Sequence, residues 1–534
     1  MSKLPPFISN LLRNWRFWLM AAVIVGISWR LLDYLLRFPV WGDEASLGMD
    51  ILRRNYLQLL APLGRVQVCP LGFLWVSKWM IAVAGTSAFA LRFFPLLCGI
   101  TAVLIAWKIF HRVAGRKVGL LATAMLACSL ATVRYSTDFK PYSTDLLVAM
   151  CYTGLGFWAL RWPKDSRPLI YLIVFTPLAL LFSFPGIFMA ASVSAALLLR
   201  QIKDSNKTCR WLYAGFNVLT LGVFAVLFFG FMRGQMHHTK AGMDVYWRNA
   251  FPPLNWHIFG WLIQAHVSNM MSYPLGGKKG IALLITPLCI IGVWRLWHKR
   301  RRAELVLLVA PFILTFIAAL LRAYPYGTSS RVQQHLVPSI MLLSSIGAVT
   351  LAAMAMRKHH SFSAWRAFAG SVVAALLVFA VICMVLDIHR PWVGPGPRMV
   401  RNLTRTVFRG ADQHTEIIIT NHKPDAFASE IAWYFNTQRH AYKTGVPLSA
   451  KALEPSARRL WVIHFGYKPV HHFNHTVVSK FTAGGIILHL LKQHDRIMRV
   501  GFSKNPPIVA QASLFAVKRQ QIGNINRSLL IGRP

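Results

Sequence analysis

From Phe17 to Leu386 the chain alternates long apolar stretches with short polar segments, and each stretch approaches the roughly twenty residues a helix needs to cross a hydrocarbon core. About eleven spans follow from this pattern, near 17–36, 91–111, 118–134, 143–161, 168–184, 187–201, 211–231, 280–297, 304–322, 335–356 and 366–386. The piece Pro70–Val83 is apolar but short and carries Lys78, so it reads as an interfacial helix, not a span. After His389 apolar runs shorten, and charge and proline recur regularly. Strand-like runs at Glu416–Thr420, Leu460–Phe465 and Ser513–Val517 accompany a helical pattern near Asp425–Tyr434. The expected fold class is an all-α polytopic membrane domain over 1–389, followed by a small α/β extracytoplasmic domain over 390–534.

The polar segments set the orientation. With the N-terminus in the cytosol, the loops placed inside are His111–Lys117, Arg161–Arg167, Arg200–Arg210, Trp297–Arg302 and Arg357–Arg366, all short and basic. One assignment therefore satisfies the positive-inside rule at every inner loop. Lys3, Arg13 and Arg16 precede the first span without a small-residue cleavage site, the pattern of an uncleaved signal anchor. The longer loops, 37–91, the turn at Asp138, 231–280 and 324–331, fall outside with the C-terminal domain. The expected location is the plasma or inner membrane, multi-pass.

Composition agrees: 55% of the 534 residues are hydrophobic and only 14% charged. The net charge of +42 points to anionic headgroups, not nucleic acid, because many of the cations cluster between apolar runs. No CxxC pair occurs among the seven cysteines and none lies beyond 389, which excludes a disulfide framework and a zinc-ribbon site. GxxxxGK[ST], GxGxxG and HExxH are absent. With only 17 acidic residues, an acid near a membrane surface is informative.

Four outer segments combine the residue types that chemistry needs. Asp43 and Glu44 follow the first span; beside an apolar wall one carboxylate suits a general base while the other bonds locally, the alternative being a simple helix N-cap. The run RYSTDFKPYSTDLL brings Arg134, Tyr135, Asp138, Lys140, Tyr142 and Asp145 to one turn. There Lys140 and Arg134 suit a phosphate, Asp138 reads as functional, and Asp145 reads as a helix cap. Arg331, with Tyr324, Tyr326 and His335 nearby, offers either a guanidinium fork for phosphate or a snorkelling interfacial arginine. Asp244, Trp247, Arg248 and Trp256 mix charge with aromatic faces, as sugar sites do, though a membrane belt explains them better.

The ordered set WGDEA, GTSAFALRFFPLLCG, YSTDFKPYSTDLL, SFPGIF and YPYGTSSRVQQHLVP, followed by an outer C-terminal domain, resembles the GT-C superfamily of polyprenyl-phosphate-sugar-dependent glycosyltransferases. The nearest group is the family 39-like branch, with protein O-mannosyltransferases and lipid A aminoarabinose transferases. The resemblance implies Asp43 as catalytic carboxylate with Glu44 beside it, Asp138 as the second acid, and Lys140 and Arg331 on the lipid phosphate. Arg134, Tyr142 and Tyr326 complete the expected binding set. The implied reaction is inverting transfer of a sugar from a polyprenyl-phosphate donor to a lipid, glycan or protein acceptor outside. No cofactor is certain, and a divalent cation between outer carboxylates stays open. The competing class is a lipid or sugar transporter or flippase. That class calls for paired halves or broken helices at the midplane, and the sequence displays neither.

Overall fold

The computed structural model describes residues 14–36, 38–64, 67–204, 206–276, 280–356 and 362–389, and beyond them 397–398, 400–402, 404–405, 415–421, 430, 433–434, 436–437, 459–466, 494–501 and 509–516. The chain divides into two compact units: Met1–Phe38 with Ile51–Pro391, and Pro39–Asp50 with Trp392–Pro534.

The helices are α1 Trp15–Leu35, α2 Gly42–Arg53, α3 Leu71–Ala84, α4 Ala88–Ala127, α5 Leu130–Ser136, α6 Tyr142–Arg161, α7 Arg167–Phe182, α8 Gly186–Asp204, α9 Lys207–Leu227, α10 Arg233–Tyr246, α11 Ile258–His266, α12 Ala282–His298, α13 Arg302–Leu320, α14 Val337–Met356 and α15 Phe362–His389. Every expected span contains a helix, and the expected interfacial segment is α3. Six helical stretches among the described residues are long and apolar enough to cross a membrane; α3, α7, Gly186–Arg200 of α8 and α12 are shorter apolar helices.

Within the first unit the polarity is that of a bundle in lipid. Met20, Ile24, Leu104, Val174, Val218 and Ile290 face outward, while Thr123, Ser192, Thr315 and Ser345 are buried. Lipid tails are as apolar as leucine, so close packing and internal hydrogen bonds must hold such helices together. The tightest approach is between α12 and α14: a Cβ at Gly292 would run into the Leu343 carbonyl, and one at Gly347 into that of Leu288.

Two expected boundaries move. The spans at 91–111 and 118–134 are two arms hinged at Gly115, whose φ of 82° suits glycine. Gly119 then packs directly on the backbone of His111. The second arm stops at Ala127, short of 134, because Arg30 of α1 donates Nη1 to the Ala127 carbonyl (2.9 Å) and so satisfies an end-of-helix acceptor. The helix restarts as α5. The expected loop 231–280 begins instead as helix: a π-helical turn at Phe228–Met232 carries α9 into α10.

Contacts bring separate turns together. Arg301 donates to the Val113 carbonyl (2.9 Å) and Asn206 to that of Lys164 (3.4 Å), so four of the basic turns meet in two pairs. Ser183 meets Asp145 and Tyr135 meets Ser330, so the turns at 134–145, 183 and 324–335 share one end.

In the second unit strands β1 Thr415–Asn421, β2 Arg459–Gly466, β3 His494–Gly501 and β4 Val509–Ala516 form one sheet of order β1-β2-β4-β3. β1 and β2 are parallel and the other pairs antiparallel. The expected α/β class is therefore met, with β3 as an added strand. Asp495, Arg496 and Arg499 break its alternation, which hid it in the sequence. Residues 430, 433–434 and 436–437 are helical; the rest of the expected helix 425–434 lies outside the described residues. This helical segment covers 39–50. The Trp433 ring lies over Gly48, and the Tyr434 hydroxyl accepts the Val40 N–H (2.8 Å). The acidic segment after the first span thus packs with sequence nearly four hundred residues away.

Candidate functional site

The polar end of the first unit is built around α5 and the turn after it. Ser136 at the end of α5 sits against Gly99, where any larger residue would clash. The chain then turns through Thr137–Lys140, with the Lys140 N–H on the Asp138 carbonyl (2.7 Å), and enters α6. Both candidate side chains of this turn are buried: Asp138 is 3% exposed and Lys140 6%. The Lys140 ammonium donates to the Gln67 amide oxygen, a neutral partner. Among the described residues no carboxylate lies within ion-pair distance of it. Among the described residues this buried ammonium therefore has no matching anion.

Asp145 is not the cap expected from Ser-Thr-Asp. α6 begins at Tyr142, so Asp145 lies in its first turn, and its carboxylate accepts from the Ser183 hydroxyl (2.6 Å). Ser183 belongs to the SFPGIF segment, so two motifs that are separate in sequence meet here. Arg134 is ion-paired with Asp387 of α15 (3.6 Å), a partner the local sequence could not reveal. Half-buried Tyr142 meets Tyr135 edge-on (5.4 Å).

Loop 324–335 closes the same end. The Tyr135 hydroxyl bonds Ser330 Oγ (3.3 Å), and Gln334 bonds both the Ser330 carbonyl (2.8 Å) and the Tyr273 hydroxyl (3.0 Å). Burial raises the Tyr135 pKa, as does Asp138; the bond to Ser330 and the charges of Arg331 and Arg134 pull the other way. Asp138, Arg331 and Arg134 are thus all electrostatic neighbours of one hydroxyl. Arg331 stacks on Trp247 (5.0 Å) and Tyr246 (5.4 Å) and donates to the Tyr246 hydroxyl. One face of Trp247, taken from the sequence as membrane belt, therefore carries the guanidinium. Tyr326 is committed elsewhere: it is 2% exposed, its hydroxyl bonds His266 (3.1 Å), and Trp261 and Phe316 pack on it.

Asp43 and Glu44 belong to the second unit, in the first turn of α2. Glu44 is fully buried and its carboxylate accepts the Trp41 N–H (3.3 Å), reaching back as the acid of a capping box does. Of the adjacent carboxylates, Glu44 therefore makes the local bond, and Asp43 is the more exposed. Among the described residues no three His, Cys, Asp or Glu side chains gather where they would hold a metal ion.

Residues 68–229 match the family described as dolichyl-phosphate-mannose-protein mannosyltransferase. This stretch includes α3, Asp138, Lys140 and the Ser183 segment, and over it the resemblance seen in the sequence is borne out. No curated protein matches the chain. Among solved structures, ArnT from Cupriavidus metallidurans in the apo state is 11% identical, covering 92% of this chain and 97% of its own, with a TM-score of 0.48. The same protein bound to undecaprenyl phosphate is 12% identical, covering 93% and 97%, with a TM-score of 0.47. The apo oligosaccharyltransferase of Archaeoglobus fulgidus is 13% identical with a TM-score of 0.45; the match covers 78% of this chain and 63% of the archaeal one.

Proposed function

We propose that this chain is an integral-membrane glycosyltransferase that moves a sugar from a polyprenyl-phosphate donor to an acceptor hydroxyl on the outer face, with inversion. The observation that carries the reading is Lys140: an ammonium, buried, bonded to a neutral amide, in a turn inside the segment matched to the mannosyltransferase family. A lipid phosphate at that turn supplies the missing negative charge, and a desolvated cation holds it more strongly than an exposed one does.

In this reading Lys140 and Arg331 bind the donor phosphate, and Tyr142 lies beside the lysine. Stacking on Trp247 and Tyr246 holds the Arg331 guanidinium in one plane. Asp43 is the base. It takes the acceptor hydroxyl proton as the acceptor oxygen bonds to the anomeric carbon. The bond from that carbon to the phosphate oxygen breaks, and its electron pair leaves on polyprenyl phosphate. Glu44 fixes the start of α2 so that Asp43 is presented in one orientation. Asp138 acts beside Lys140 as the second acid. No step in this reading uses a metal ion. The acceptor is a lipid, glycan or protein hydroxyl.

The test is Asp43→Asn in membranes supplied with radiolabelled polyprenyl-phosphate sugar. Donor binding persists and transfer stops. Full transfer by the variant would remove Asp43 as base. A wild-type protein that moves the labelled lipid between leaflets without releasing polyprenyl phosphate would replace the transferase reading with a flippase.

A further inference from the structure

Thr132–Ser136 is held by four different elements. Thr132 Oγ1 accepts from Arg30 of α1 (2.9 Å) and donates to the Leu126 carbonyl (2.9 Å). Arg134 pairs with Asp387 of α15, Tyr135 bonds Ser330, and Ser136 rests on Gly99 of α4. Two residues further on stands Asp138, and two beyond that Lys140. The position of both therefore depends on how this segment is anchored.

The anchor at Asp387 is the least expected of the four. Asp387 is 2% exposed near the end of an otherwise apolar helix; Oδ1 faces Arg134 and Oδ2 accepts from Trp29 Nε1 of α1 (3.0 Å). Asp33 of α1 is also 2% exposed, no N–H or hydroxyl among the described residues bonds either of its oxygens, and its electrostatic neighbours are Asp387, Arg134 and Arg30. Two aspartates and two arginines are thus gathered where the first and last membrane helices meet α5. Apolar helices pack without such groups, and placing ionisable side chains here costs free energy that packing does not return.

We propose that Asp387 is a positioning residue: through Arg134 it fixes the segment that presents Asp138 and Lys140. In this arrangement Arg134 holds the turn, not the substrate. The kinetic part of the test rests on the transferase reading; the labelling part does not.

Full-length protein in nanodiscs is compared as wild type, Asp387→Asn, Asp387→Glu, Arg134→Gln and the Asp387→Asn/Arg134→Gln double variant. Asp387→Asn and Arg134→Gln each lower kcat about tenfold while the donor KM stays within about twofold, and the double variant is no worse than either single one. Asp387→Glu keeps the charge and restores most of kcat. Independently, a Thr137→Cys reporter, nearly shielded in the parent, reacts with an impermeant thiol reagent about tenfold faster in Asp387→Asn and Arg134→Gln, as expected when a locally anchored segment opens. If Asp387→Asn does not fold, Arg134→Gln decides alone, since its side chain is 31% exposed and its loss strains the core less.

A wild-type kcat in Asp387→Asn, a KM rise in Arg134→Gln, additive losses in the double variant, or unchanged labelling would each overturn the proposal. Faster labelling in a protein whose wild type transfers no sugar would sink the transferase reading and leave the positioning role standing.

Discussion

Replacing Lys140 by methionine separates a cation kept for a ligand from one kept for the fold. The lysine is 6% exposed and its bonding partner is the neutral Gln67 amide. In the ligand-free protein its charge is desolvated with little return, so methionine, similar in length, relieves that penalty. Gln67 then loses the ammonium donor, at a cost of up to about 1–3 kcal/mol. The two effects oppose each other. The expected stability change is within about 1 kcal/mol, and adding Gln67→Leu, which removes both polar partners, brings it closer to zero. Binding of the donor behaves differently. A hydrogen bond to a charged group is worth about 1.5–3 kcal/mol, so affinity for polyprenyl phosphate falls about 10- to 150-fold. The assay is thermal unfolding in nanodiscs with and without polyprenyl phosphate. At a concentration one hundred times the wild-type Kd, the ligand stabilises the wild type by about 2.7 kcal/mol and Lys140→Met by about 0.3–1.4 kcal/mol. A variant that loses several kcal/mol without ligand, yet keeps the full ligand-induced shift, would refute the reasoning and make Lys140 a structural cation.

Arg331→Lys keeps the charge but loses the planar stack on Trp247 and Tyr246; the donor KM is expected to rise about tenfold with kcat little changed, measured in steady-state transfer assays. Gly292→Ala drives a methyl into the Leu343 carbonyl, so α12 and α14 must separate, and a loss of about 2–4 kcal/mol is expected in unfolding from detergent. Half-buried His266 lies between the Leu262 carbonyl and the Tyr326 hydroxyl, and desolvation lowers its pKa. The unfolded state therefore binds a proton that the folded state refuses, and stability present above pH about 6.5 declines as pH falls below it. His266→Asn should flatten that slope in melting curves recorded from pH 7.5 to 5, and an unchanged slope would discard the assignment.

What was legible in the chain alone is the part governed by local composition. Apolar length marked a helix in every expected span, because each span must satisfy its own backbone and be apolar over a fixed thickness wherever its neighbours lie. The strands Glu416–Thr420 and Leu460–Phe465 were readable from side-chain pattern alone; β3 was not, because charged residues interrupt its alternation. At the turn 134–145 the residue types announced a polar site, but their roles depended on partners far away. Arg134 turns to Asp387, Asp145 to Ser183 and Lys140 to Gln67, over separations of 38 to 253 residues that no local pattern encodes. Glu44 takes the capping position that its place three residues after Trp41 allows, whereas the covering of α2 by Trp433 and Tyr434 arises only from tertiary packing. The sequence by itself determined which segments enter the bilayer, since transfer free energy is a sum over neighbouring residues. Only the tertiary structure decided which charges meet, since pairing a buried ion requires one specific partner and not an average environment.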